Sequence, residues 1–268
     1  IKQILHPALR TNSLCSLCSF FPAMALFTAV VFLAAAWLPS FLANGQDPGF
    51  DALSTTLTKV QAEIVDKHNN LRRTVSPSAS NMLKMQWDTR AAGNAQKWAN
   101  KCLLKHSEAS SRRVGTRSCG ENLFMSSRPT SWSNAIQSWY DETNDFTYGV
   151  GPKYPEAVVG HFTQLVWYSS FRIGCGIAYC PNQKILKYYY VCQYCPAGNI
   201  IGRENVPYQK GAPCASCPKH CDNGLCTNSC EYDDTVSNCK DLMKIVPCSH
   251  DLLKKNCQAT CNCSDKIF

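Results

Sequence analysis

Several features that would announce a function are missing from this 268-residue chain. No Gly-x-Ser-x-Gly motif is present, so a serine-hydrolase nucleophile turn has no candidate. No run of lysine and arginine is interleaved with aromatics, which excludes the usual nucleic-acid footprint. Charged residues make up only 17%. The apolar run Leu26–Leu38 ends at Pro39. It is short of the roughly 20 residues a membrane helix needs, so the chain is not expected to be transmembrane. Cysteine, by contrast, is abundant. Eighteen are present, more than a reducing compartment tolerates, and they point to a secreted, disulfide-bonded protein.

The cysteines are unevenly spread. Cys15 and Cys18 lie near the start, six run from Cys102 to Cys195, and ten crowd between Cys214 and Cys263. The first methionine is Met24. Residues 1–23 therefore read as a non-native upstream extension. Residues 24–43 read as a secretory signal peptide, cut near Ala43 to Gly45. Removing both leaves sixteen cysteines, an even number that spares none as a free nucleophile. The formal net charge is +8. Residues 44–213 hold 19 basic and 12 acidic side chains, and residues 230–268 hold 5 and 6. The positive charge sits on the larger part, which favours anionic surfaces.

Periodicity predicts a helix from Ser54 to about Val75, with Val60, Ile64, His68 and Leu71 on one face. His68 is assigned to packing. A second helix is expected over 88–104, with Ala91, Ala95, Trp98, Ala99 and Cys102 as its stripe. Residues 107–118 read as a polar loop, and 119–124 as a short strand. A third helix is expected over 131–143, and a fourth carries His161, Leu165 and Val166. Two strands follow, over 173–180 and 187–195, with a turn at 181–183. Helices with a few late strands imply an α/β layered domain.

Two long stretches go further. Gly160-His-Phe-Thr-Gln-Leu-Val-Trp-Tyr-Ser-Ser170 and Tyr189-Tyr-Val-Cys-Gln-Tyr-Cys-Pro-Ala-Gly-Asn-Ile200 resemble the two signatures of the CAP superfamily. Cysteine-rich secretory proteins, insect venom antigen 5 and plant pathogenesis-related 1 proteins share them. The wording is similar to mammalian male-tract and salivary members of the cysteine-rich secretory family. The resemblance implies a three-layer α-β-α CAP sandwich over residues 55–200 and a linker over 201–213. A disulfide hinge would follow over 214–229, then a ShK-like helical module over 230–268. It implies that His106, Glu121, Glu142 and His161 converge in a cleft.

Two imidazoles supported by two carboxylates make a divalent-metal site with His106 and His161 as ligands and Glu121 and Glu142 as supporting acids. Zinc is the metal considered, and no cofactor is required. The competing reading is a polar network that only positions helices. Two histidines fall short of the three or four ligands of ordinary zinc sites, so weak binding is expected. Two other readings are open to these residues. One is a metal-dependent or serine-type peptidase. The other is a sterol or lipid carrier with a groove near Tyr148 and Tyr154.

The same resemblance implies the pairs Cys102–Cys180, Cys119–Cys195 and Cys175–Cys192 in the large domain, and Cys214–Cys221 and Cys217–Cys226 in the hinge. In the last module it implies Cys230–Cys263, Cys239–Cys257 and Cys248–Cys261. A zinc knuckle is the rival for the hinge spacing. Related toxins plug potassium channels with a lysine and an aromatic. Here Lys254 and Lys255 are present, but no aromatic follows them before Cys257. The expected partners are extracellular or cell-surface proteins, ion channels among them, with weak modulation or docking favoured over pore plugging. Asn262-Cys-Ser264 is an N-glycosylation sequon, with Asn100 and Asn228 as weaker candidates. The family's roles in sperm maturation, gamete interaction, innate defence and channel regulation follow from the resemblance alone.

Overall fold

A computed structural model describes residues 49–236 and 238–268. The upstream extension and the signal peptide fall outside these residues. Helices α1 (Thr58–Arg73), α2 (Thr89–Ala99), α3 (Trp132–Tyr140) and α4 (Gly160–Leu165) belong to the first part of the chain. Helices α5 (Cys239–Ile245), α6 (Asp251–Asn256) and α7 (Gln258–Asn262) belong to the last. The strands are β1 (Gln86–Trp87), β2 (Arg113–Val114), β3 (Arg117–Ser118), β4 (Gly120–Ser126), β5 (Phe146–Thr147), β6 (Gly151–Pro152), β7 (Arg172–Tyr179), β8 (Tyr188–Cys195), β9 (Cys221–Asp222) and β10 (Leu225–Cys226).

One four-stranded sheet, ordered β1-β7-β8-β4, forms the middle layer. β7, β8 and β4 are antiparallel neighbours, and β1 adds a parallel edge. Strand side chains alternate in direction, so β8 serves both faces. Tyr190, Cys192 and Tyr194 enter the main core with Ile64, Trp132 and Phe162. Tyr189 and Val191 pack with Ala95 and Ala99 of α2. Helix α2 therefore covers one face, and α1, α3 and α4 the other. Gly174 and Gly176 let α2 approach this closely. A Cβ there would come within 2.0 Å of Ala92 N and 2.4 Å of Gln96 Cα. The fold is the three-layer α-β-α sandwich of the CAP type, followed by a disulfide-rich helical end.

Helix boundaries differ from the sequence reading for local reasons. Ser54 does not cap α1. It closes a 3-10 turn at Phe50–Leu53 and binds Thr56 Oγ1 at 2.8 Å, and α1 begins after Leu57. α2 ends at Ala99 because Cys102 and Leu104 take φ of 53° and 49°, outside helical space. At the start of α2, Asp88 Oδ1 accepts from Arg90 N and Ala91 N, both at 2.9 Å. α3 stops at Tyr140, so Glu142 lies in a following 3-10 turn, Asp141–Asp145. The 107–118 loop carries the small β2–β3 hairpin.

Eight disulfides join Cys102–Cys180, Cys119–Cys195, Cys175–Cys192, Cys214–Cys221, Cys217–Cys226, Cys230–Cys263, Cys239–Cys257 and Cys248–Cys261. Cys214, Cys217 and Cys226 pack with Leu83, Phe171 and Ile267. The last module is tied to the sandwich by Arg117 and Arg172. Arg117 donates to Asp233 Oδ1 at 2.9 Å, Glu231 Oε2 at 3.2 Å and Cys230 O at 3.0 Å. Arg172 bridges Asp88 and Glu231 at 2.8 and 2.7 Å.

Candidate functional site

Strand β4 places Glu121 beside β8, and its buried carboxylate collects donors from three directions. Oε1 lies 2.9 Å from His106 Nδ1 and accepts from Ser107 N at 2.9 Å and Arg112 Nη1 at 3.4 Å. Oε2 accepts from Ser107 Oγ at 2.7 Å and Gln193 Nε2 at 3.3 Å. Burial pushes this carboxyl up. The bonds from His106 and Ser107 and the charge of Arg112 outweigh burial, so its pKa lies below the ordinary value.

Glu142 is placed by the 3-10 turn after α3. Its Oε2 accepts from His161 N at 2.9 Å and Phe162 N at 3.0 Å, and Oε1 lies 2.6 Å from His161 Nδ1. The Trp139 indole stacks on the His161 ring, with centroids 6.4 Å apart and planes 15° apart. Asn122 donates to His161 O at 3.0 Å. Beneath α4, the buried Arg72 donates to the carbonyl oxygens of Leu83, Leu165, Trp167 and Tyr168. Burial lowers its pKa to about 9. Sequence reasoning missed Arg72, Ser107, Arg112 and Asn122. Only the position of Arg72 on the buried face of α1 could have signalled any of them.

Each imidazole thus faces a carboxylate through Nδ1. An ionised carboxylate can only accept, so Nδ1 carries the proton and the Nε2 lone pair stays free. That is the arrangement in which a second-shell acid orients a metal-ligating histidine. Each neutral ring thus offers a free Nε2 as a donor to a cation. The His106 side chain is 54% exposed and that of His161 28%. Among the described residues, no compact cluster of three metal-ligand side chains includes either histidine.

The one compact cluster of metal-ligand types among the described residues is Cys214, Cys217 and Cys226. Its sulfurs are already spent, because Cys214 bonds Cys221 and Cys217 bonds Cys226. A disulfide sulfur is no thiolate ligand. His68 also has two partners. Its ring bonds Ile64 O at 2.7 Å and Tyr194 Oη at 2.9 Å, and burial lowers its pKa to about 3.

The comparisons with known proteins agree with this fold. A family model described as the cysteine-rich secretory protein family matches residues 65–194, and a second, Crisp, matches residues 214–268. Cysteine-rich secretory protein 3 of Equus caballus is 69% identical over 245 residues, 91% of this chain and 100% of that protein.

The chain belongs to the cysteine-rich secretory protein family.

Cysteine-rich secretory protein 2 of Homo sapiens is 64% identical over 89% of this chain and 98% of that protein. The cysteine-rich venom protein helothermine of Heloderma horridum horridum is 52% identical over 82% and 90%. Among solved structures, NaASP2 with Zn2+ matches at TM-score 0.54 and 31% identity, over 64% of this chain and 96% of that one. Membership fits a secreted protein. No helix among the described residues is long and apolar enough to cross a membrane.

The remaining sequence candidates sit apart from the two histidines. Lys254 and Lys255 are exposed in the last turn of α6. Asn262 is exposed at the end of α7, its amide donating to Gln258 O at 2.7 Å. Tyr148 packs on Tyr208 and donates to Tyr208 O at 2.6 Å, while Tyr154 is exposed. Neither tyrosine lines the cavities of about 690 and 660 Å³ found among the described residues.

Proposed function

We propose that this protein is a secreted, non-enzymatic binding protein whose C-terminal module docks on cell-surface proteins, ion channels among them. The CAP domain, residues 55–200, serves as the platform. The linker 201–213 and hinge 214–229 carry the module 230–268. The settings are those of the family, sperm maturation and gamete interaction or innate defence.

The observation that carries this reading is a contrast in exposed chemistry. Beside the His106–Glu121 pair, Ser107 Oγ donates to Glu121 Oε2 and not to an imidazole. A serine nucleophile needs its proton taken by the base, so this geometry supports binding over peptidase chemistry. In the module, Met243, Ile245 and Leu252 are exposed on α5 and α6, beside the Lys254–Lys255 pair. Exposed apolar side chains edged by charge on a crosslinked frame are what a docking face requires.

The test uses the full chain and its Lys254→Ala/Lys255→Ala variant in patch-clamp recording and membrane-protein capture. Weakened modulation or capture by the variant supports the docking face. Equal behaviour of the two rejects it. We also propose that His106 and His161, backed by Glu121 and Glu142, hold a divalent cation weakly; in zinc calorimetry, His106→Ala/His161→Ala should abolish a weak binding isotherm. Equal affinity in both proteins removes the metal site. Binding of a labelled sterol that excess unlabelled sterol displaces would favour lipid carriage instead.

A further inference from the structure

One stripe of α2 presents Asn94, Lys97 and Trp98, and the turn just after the helix adds Lys101. With Ser111 and Gln193 they wall a cavity of about 230 Å³ on the outer side of the sheet. Gln193 is 1% exposed. Its Nε2 donates to Glu121 Oε2, which fixes the amide's orientation because an ionised carboxylate offers no donor in return. Its Oε1 is buried and has no partner among the described residues. A buried acceptor left open is costly, so a donor belongs there. Arg112 Nε is a second buried polar atom without a partner, on the guanidinium that contacts the other oxygen of Glu121.

The rim has the opposite character. Lys97 and Lys101 are exposed, and Lys101 Nζ lies 4.8 Å from the Trp98 ring centroid. The Trp98 N–H is spent on Lys105 O at 2.8 Å, which leaves only its ring for contact. Asn94 gives its amide to Arg113 O, and Ser111 gives its hydroxyl proton to Glu108 O. Both keep oxygen lone pairs that can accept. The cavity thus asks for an anionic group at the rim, several hydroxyl donors within, and a body about the size of one sugar ring.

We propose that this cavity binds an acidic sugar of the sialic or uronic acid type. Its carboxylate lies between Lys97 and Lys101, its ring lies against Trp98, and one hydroxyl donates to Gln193 Oε1. The excess of basic over acidic residues in 44–213 brings such anions to this face. The sugar is either free or the end of a glycan.

The test is an NMR titration of the full chain with N-acetylneuraminic acid, glucose and acetate. Glucose lacks the carboxylate, and acetate lacks the hydroxyls. The acidic sugar should bind about tenfold more tightly than either, and Lys97→Ala/Lys101→Ala should weaken it about tenfold with the thermal midpoint unchanged. Gln193→Met should weaken it similarly. If that buried substitution unfolds the chain, the surface lysine pair still decides. Tighter binding of sialyllactose than of the free sugar assigns the site to a glycan end, and weaker binding assigns it to the free acid. Equal affinity for all three probes, or unchanged binding in the lysine variant, overturns the proposal.

Discussion

In the α-β-α region, Cys175 is bonded to Cys192 across 17 residues. In the C-terminal module, Cys239 is bonded to Cys257 across 18. The closed loops are almost equal, so each bond removes similar freedom from the unfolded chain, about 3 kcal/mol in the chain-entropy model. Their surroundings are not equal. Cys175 and Cys192 face each other in the β7–β8 register, inside a core that also buries Ile64, Trp132 and Tyr194. Cys239 and Cys257 share their buried cluster with one apolar residue, Leu253. The same crosslink supplements a core in one region and replaces it in the other. A segment as short as 230–268 cannot bury enough apolar surface by itself.

The largest expected effect comes from attacking the core of the first region. Trp132 is fully buried, donates to Leu53 O at 2.9 Å and meets Tyr190 edge-on at 5.0 Å. Trp132→Ala should cost about 3–5 kcal/mol in denaturant unfolding of the sandwich. The three disulfides of the sandwich will not rescue it, whereas a core of secondary importance would lose much less.

Next comes pH. His68 is neutral when folded, with a pKa of about 3, and ordinary when unfolded, near 6.5. As pH falls through 6.5 the unfolded chain takes up a proton that the folded chain refuses. Stability is therefore full above 6.5 and declines toward pH 3, by roughly 3–5 kcal/mol. Glu121, with its lowered carboxyl pKa, adds a loss only below its ordinary value of about 4.5. Between pH 6.5 and 4.5, His68→Asn should flatten the slope measured by urea unfolding. An unchanged slope would mean that His68 is protonated in the fold.

In the module, Cys239→Ala/Cys257→Ala should cost about 2–4 kcal/mol locally. Amide exchange should rise across 238–268 while β7 and β8 keep their protection. The smallest effect is at the seam. Arg117→Ala leaves Asp233 without its guanidinium and Glu231 with Arg172 alone, and should cost about 1–3 kcal/mol. Faster exchange at 230–236, with α1 and α3 unchanged, is the expected pattern.

The same comparison explains what the sequence could reveal. The buried face of α1, the Asp88 cap and the two long strands follow from periodicity and local chemistry, and they lie where expected. The end of α2 does not, because the left-handed backbone at Cys102 and Leu104 accompanies a crosslink to Cys180. Position 102 looks like one more apolar helical residue. The contacts of Arg72 with Leu165, Trp167 and Tyr168 span more than 90 residues and leave no local trace. The His106–Glu121 and His161–Glu142 pairs were reachable only through the family signatures, since no spacing rule joins residues so far apart. The cysteine pairings were likewise implied by resemblance, because spacing alone leaves many connectivities open.

The proposed division of labour between a self-supporting platform and a crosslinked binding head is tested most directly by one functional recording. The full chain and its Cys239→Ala/Cys257→Ala variant are applied to the same target membrane under patch clamp, with the thermal transition of the sandwich monitored in both. The account predicts that the variant keeps that transition and loses the current modulation or surface capture shown by the full chain. A variant that retains both would contradict it, and would move the binding head to the sandwich.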